Sequence, residues 1–293
     1  MLYIIYSLIF FVSLHAKYKL KMLKFISLGS GSSGNCYYFE QDGDAMLIDA
    51  GVGIRNIKKF LHDKGISIDS VKRILITHDH ADHIKSVGVI STEYDIPVYA
   101  TSDVHAGILR NYCVPKKIPG IHQQVIEKDV RVKLGNFYVT PFTVPHDSSG
   151  NVGYRIEVDN GIEEGLTFCL MTDVGHVTEE MQKYIGEANY LVIEANYDKQ
   201  MLKTGPYPQY LKVRIESPTG HLSNHECGEA IANYATAKLK HVWMCHLSEE
   251  NNHPILALKT VEQVLRSYGL IAQKDFIIED LKRKSPSELF ELE

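Results

Sequence analysis

The residues best suited to chemistry stand in ITHDHADH, Ile76 to His83, where three histidines and two aspartates fall within six positions. Neutral imidazole and carboxylate are the usual donors to zinc-like cations, and the start of a solvated helix needs no such density. Alternation along the chain sends His78, His80 and Asp82 one way and His83 the other, which suits two neighbouring ions better than one. The chain holds 14 histidines in all, several in short clusters beside Asp. A second stretch, Lys199 to Arg214, interleaves Lys199, Lys203, Lys212 and Arg214 with tyrosines, the composition of a surface that binds a phosphate backbone and stacks bases. The plainer reading, a solvated helix with ordinary tyrosine packing, has equal weight on composition. The loop GSGSSGN, Gly29 to Asn35, is either a phosphate cradle or a tight turn beside the histidines.

Elements that could hold these residues follow from periodicity. Leu23 to Leu28, Cys36 to Glu40 and Ala45 to Ile48 read as a strand meander, and Ile54 to Lys64 as an amphipathic helix. A strand from Arg73 to Ile76 ends directly in His78, followed by helix 84–94, strand 97–100 and helix 102–112. Strands at 124–126, 130–134, 137–144, 154–158 and 167–171 open a second half. Helix 178–185, strand 190–194, helices within 198–215, helix 224–237, strand 241–245, helix 255–268 and strand 276–278 complete it. Strand runs followed by mixed helices and strands, twice over, predict an α/β fold with two sheets back to back and helices outside. The two halves share no visible sequence similarity.

With 44% hydrophobic and 23% charged residues, the 293-residue chain is composed like an ordinary globular protein with a sizeable core. A net charge of −5 supplies no general attraction to nucleic acid, so any such partner needs a local basic patch. Five scattered cysteines form no C-x-x-C pair, which fits a reduced, cytoplasmic protein. Residues 1–21 begin with an apolar run that could be a cleaved leader or a membrane-associated anchor. The preferred reading makes them an extension upstream of a natural start at Met22, because MLKFISLGSGSSGNC forms a complete first strand and turn.

The His-x-His-x-Asp-His motif at His78, His80, Asp82 and His83 resembles the signature of the metallo-β-lactamase superfamily. That resemblance implies an αβ/βα four-layer sandwich over residues 22–293. It also implies further ligands at His146 in TVPHDS, Asp173 in LMTDVGH and His246 in MCHLSEEN. His78, His80 and His146 would then hold one divalent ion and Asp82, His83 and His246 the other, with Asp173 shared. Asp49 in MLIDAG matches a position that orients the metal loop by hydrogen bonds. His80, where the oxygen-reducing branch has Glu, and Asp173, where many antibiotic-degrading members have Cys, favour hydrolysis of another substrate.

Glu194 in LVIEANYD and His221 in GHLSN resemble a pair that assists phosphodiester cleavage in the RNase Z branch. Over Met22 to Glu293 the chain is similar to the WalJ/YycJ family, through SLGSGSSGN, THDHADH, TDVGH, GHLSN and HLSEENN in that order. This implies a DNA exonuclease working 5′ to 3′, with a metal-bridging hydroxide as nucleophile, Asp82 as an essential ligand, and His221, oriented by Glu194, as proton donor. Zinc, manganese and iron all suit the donors. Lys199, Lys203, Lys212, Arg214 and His253 are candidate substrate contacts. The alternatives are a thioesterase of the glyoxalase II kind, which shares the ligand set, and a non-catalytic metal-binding partner protein.

Overall fold

The computed structural model describes residues 22–158 and 165–293, so the reading of residues 1–21 lies outside the described residues. The first half runs β1 (Leu23–Gly29), β2 (Cys36–Gln41), β3 (Asp44–Ile48), α1 (Ile54–Asp63), β4 (Val71–Leu75), α2 (Ala81–Ile84), α3 (Val87–Glu93), β5 (Val98–Ala100), α4 (Ser102–Arg110) and β6 (Gln123–Val125). The second begins with β7 (Val132–Leu134), β8 (Phe137–Thr143), β9 (Val152–Val158), β10 (Leu166–Met171), α5 (Glu179–Glu187), β11 (Tyr190–Glu194) and α6 (Lys199–Thr204). It continues with α7 (Gln209–Ile215), α8 (Asn224–Tyr234), β12 (His241–Cys245), α9 (Pro254–Ser267), β13 (Ile277–Asp280) and β14 (Phe290–Leu292).

The strands form two seven-stranded sheets, ordered β14-β1-β2-β3-β4-β5-β6 and β13-β12-β11-β10-β9-β8-β7. In each, an antiparallel run passes into a parallel one, at β3–β4 in the first and at β10–β11 in the second. The topology therefore repeats although the sequence does not. Helices cover the outer faces, as two mixed sheets buried on both sides require.

Alternation along the strands sorts their side chains between layers. Phe25, Phe39, Phe168 and Trp243 point into the seam between the sheets, where the Phe25 ring lies 5.0 Å from Phe168 and 4.9 Å from Trp243. Ile26, Leu28, Leu47 and Ile74 face the other way, against helices of the first half. Val242 and Met244 do the same against α8 and α9. Each buried aromatic removes on the order of 150–250 Å² from water, so the seam is the dominant glue between the halves.

Two elements differ from the sequence expectation. The helix expected over 84–94 is split into α2 and α3, because Ser86 at the junction gives its N–H to Ala50 O and its hydroxyl to Val52 O. Beyond the expected last strand, β14 pairs antiparallel with β1 and closes the edge of the first sheet. Among the described residues no helix is long and apolar enough to cross a membrane. All five cysteines are free, four of them buried, in keeping with small apolar roles.

Candidate active site

The polar residues singled out from sequence collect at one end of the sandwich, beyond the carboxyl ends of the strands, where ligands of open α/β sheets gather. Asp49 follows β3, His78 follows β4, His146 follows β8, Asp173 follows β10, Glu194 ends β11 and His246 follows β12. Both sheets contribute.

Donor atoms of His78, His80 and His146 lie within 4.8 Å of one another, and so do those of Asp82, His83 and His246. Asp173 joins a third such group with His78 and His83 and a fourth with Glu194, His221 and His246, which places it between the first two. Alternation did not correctly place Asp82. The chain turns into α2 at Ala81, so Asp82 leaves the direction of His78 and His80 and faces His246 Nε2 at 3.5 Å.

Each imidazole is held by one nitrogen so that the other faces the cluster. His83 Nδ1 bonds Asp49 Oδ2 at 2.7 Å, and Asp49 is itself fixed by the Thr77 N–H and hydroxyl. His246 Nδ1 lies 2.8 Å from Glu194 Oε1, His146 Nδ1 3.0 Å from Gly220 O, and His78 Nδ1 3.0 Å from Thr77 Oγ1. That leaves Nε2 of His78 and of His246 buried with no hydrogen-bond partner. An orphaned buried acceptor or donor costs about 1–3 kcal/mol, and a divalent cation would relieve it. The donor set, tautomer control and spacing thus fit a metal centre.

Charge follows the same geometry. Burial pushes the His78 imidazole well below its ordinary value, leaving it the neutral form that ligates. For Asp173, burial opposes ionisation, but His246 and His83 outweigh it and hold the carboxyl well below its usual range. Glu194 is fully buried and also opposed by desolvation, yet His221 and His246 bring it down to about 2. Its Oε1 takes both His221 Nδ1 at 2.9 Å and His246 Nδ1, while Oε2 accepts the N–H groups of Val174 and Leu222.

Asp49 aside, sequence reasoning missed residues that brace the ligands. Asn35 receives the Gly31 N–H on its side chain, gives its own backbone N–H to Asp82 O, and sets its amide 2.9 Å from His83 Nε2. The GSGSSGN loop is thus a tight turn that supports the metal loop; Gly31 and Gly34 spend their N–H groups inside it. Gly51 lets the backbones meet: an ideal Cβ there would sit 1.5 Å from Asp82 O. Asn196 steadies His246 by donating its side-chain amide N–H to the His246 backbone carbonyl oxygen at 2.8 Å. Asp49, Asp173 and His246 all occupy the left-handed region, with φ of 60°, 57° and 54°. Non-glycine residues adopt it at a cost that clusters at functional sites.

The basic stretch does not form one surface. Lys199 pairs with Glu226 at 3.2 Å, and Lys212 caps the carbonyls of Lys203 and Gly205. These three lysines line a cavity of about 770 Å³ on the far side of α6 and α7. Arg214 alone reaches the catalytic side, where it pairs with Asp147. His253 is spent as the N-cap of α9, accepting the Ile255 N–H, and does not line the cavity beside His221.

The chain resembles known proteins over most of its length. The Beta-lactamase superfamily domain matches residues 45–247. Exodeoxyribonuclease YycJ of Bacillus anthracis is 34% identical over 270 residues, covering 91% of this chain and 98% of that protein. Exodeoxyribonuclease WalJ of Streptococcus pneumoniae is 32% identical over 92% of this chain and 98% of its own length. The metallo-β-lactamase fold protein YhfI from Bacillus subtilis superposes with a TM-score of 0.66 at 18% identity, over 92% of this chain and 99% of that one, and supports the fold. With its two seven-stranded sheets, its His/Asp clusters and these matches, the chain belongs to the beta-lactamase superfamily of metallohydrolases, in the family whose curated members are named exodeoxyribonucleases YycJ and WalJ.

Proposed function

We propose that the protein is a phosphodiester hydrolase acting on DNA, an exonuclease working 5′ to 3′ in a reducing, cytoplasmic setting. One observation carries the nuclease reading beyond the shared ligand set. A single buried carboxylate, Glu194, holds both the ligand candidate His246 and the non-ligand His221 on one oxygen.

One divalent ion among His78, His80 and His146 and another among Asp82, His83 and His246, with Asp173 between, would supply Lewis-acid polarisation and an acidified attacking water. The chain's own residues do the rest. Glu194 fixes His221 through Nδ1, so Nε2 is the nitrogen left for substrate. Burial disfavours the imidazolium, but the Glu194 carboxylate outweighs it and raises the His221 pKa. His221 can then donate a proton to the leaving oxygen, a role that contributes about 10²–10⁴-fold. Asp82 and Asp173 place negative charge where cations would bind. Asp49, by orienting His83, positions one ligand.

The donors suit zinc, manganese or iron, and elemental analysis of protein purified without chelators reads which is bound. The test is cleavage of end-labelled DNA with each metal. Asp82→Ala should lose both hydrolysis and bound metal, whereas His221→Ala should lose about 10²–10⁴ in kcat with metal content kept. Full activity and metal content in Asp82→Ala would end the two-ion reading. Turnover of an acyl thioester that survives His221→Ala, without DNA cleavage by the parent, would make the protein a thioesterase instead.

A further inference from the structure

Beside His221 the structure holds a small cavity of about 160 Å³, lined among others by Ser32, Asn196, Tyr207, Arg214, His221 and Ser248. It differs from the larger cavity behind α7. Leu211, Arg214 and Ile215 face the catalytic side, while Gln209, Lys212 and Glu216 face the other. The cavity is open to solvent and of a size to take a group as small as a phosphate.

Chemistry within the cavity is that of an anion site. Ser32 and Ser248 bring hydroxyls, Tyr207 an aromatic ring, and Arg214 a guanidinium. That guanidinium is already engaged in a fork: Nε bonds Asp147 Oδ2, and Nη2 bonds Oδ1 at 3.0 Å. The arginine fork fits carboxylate and phosphate oxygens alike. Both partners are partly exposed, at 54% and 29%, so solvent screens the pair, and an ion pair of this kind holds by only about 0–1 kcal/mol. Asp147 is anchored at the centre, directly after His146, with its carbonyl 3.3 Å from His80 Nε2. Arg214 comes from a separate helix.

We infer that this cavity is a subsite for the terminal phosphate of the DNA, read by Arg214, and that Asp147 holds the place of that phosphate in the free enzyme. The inference rests on the phosphodiesterase reading above and adds what end of the polymer is preferred. An arginine beside the reacting centre would draw a phosphorylated terminus into the cavity and set the next phosphodiester against His221.

The test compares duplex oligonucleotides that differ only in carrying a 5′-phosphate or a 5′-hydroxyl, with kcat/KM measured for both. The parent enzyme should favour the phosphorylated end by tenfold or more. Arg214→Ala should bring that ratio close to one, and Arg214→Lys, which keeps charge but not the fork, should retain part of it. Asp147→Asn should lower KM for the phosphorylated end selectively. A parent ratio near one overturns the inference, as does an Arg214→Ala variant that slows both substrates equally with its ratio intact. Cleavage of both ends without preference leaves the nuclease reading standing. Absence of cleavage of either end, with a nitrophenyl phosphodiester also untouched, defeats that reading and this one with it.

Discussion

Asp49 touches no substrate, yet the placement of His83 depends on it. One of its oxygens takes the Thr77 N–H and the other His83 Nδ1, so the imidazole is locked with Nε2 toward Asp173, 3.2 Å away. Replacing the carboxylate by an amide offers His83 a donor where it needs an acceptor. Asp49→Asn should weaken metal affinity about 10–100-fold, the range for partners that orient ligands, with the fold retained; equilibrium metal titration alongside circular dichroism measures it. Unaltered affinity would show that Thr77 suffices. Asp49 and the ligand candidates were legible because each sits in a motif after an apolar run. Thr77, Asn35 and Asn196 were not, because their roles exist only where distant backbones meet, as at Asn35 and Asp82.

At the scale of elements, α5 carries an ionisable contact whose sign can be worked out. Glu180 accepts the Thr143 N–H at 3.3 Å at the edge of β8; burial first, and then Asp129, push its carboxyl from 4.5 up to about 7. A carboxyl raised in the folded state takes up a proton on folding, so its penalty is absent below pH 4.5 and complete above pH 7. Glu180→Gln should therefore be more stable than the parent at pH 8 and equal to it near pH 4. Urea unfolding at several pH values tests this, and identical pH slopes would refute it.

Element types followed from periodicity, but not all boundaries did. The pinning of Ser86 by Ala50 and Val52 is a tertiary effect that no helical pattern discloses. Phe290–Leu292 is too short, and its Glu291 too polar, to stand out as a strand until β1 is there to receive it. The division of the basic, tyrosine-rich stretch was hidden for a related reason: composition shows one run, whereas Lys199, Lys203 and Lys212 line one cavity and Arg214 another on the other side of α7.

For the whole molecule, the decisive fact is that the donor cluster is drawn from both sheets. His78, His80, Asp82 and His83 follow a strand of the first, and His146, Asp173 and His246 follow strands of the second. An ion held between them would staple the mouth of the seam that Phe25, Phe168 and Trp243 close further in. Ligand present at a hundred times its dissociation constant adds about 2.7 kcal/mol to folding stability. Chelation should accordingly lower the melting temperature and speed amide exchange at the ends of β4, β10 and β12, leaving mid-strand amides protected. The same exchange pattern with and without chelator would mean that no ion bridges the halves.

The left-handed backbone at Asp49, Asp173 and His246 bears on how this centre can change over evolutionary time. Aspartate, asparagine and histidine are the side chains most often found in that conformation, and other residues meet a steric cost of roughly 1–2 kcal/mol there. Donor chemistry and backbone tolerance thus select the same few amino acids at these three positions. Exchanges among Asp, Asn and His are therefore open to a drifting lineage, whereas a ligand of another type, such as Cys, carries an added backbone cost of roughly 1–2 kcal/mol unless the loop is remodelled with it.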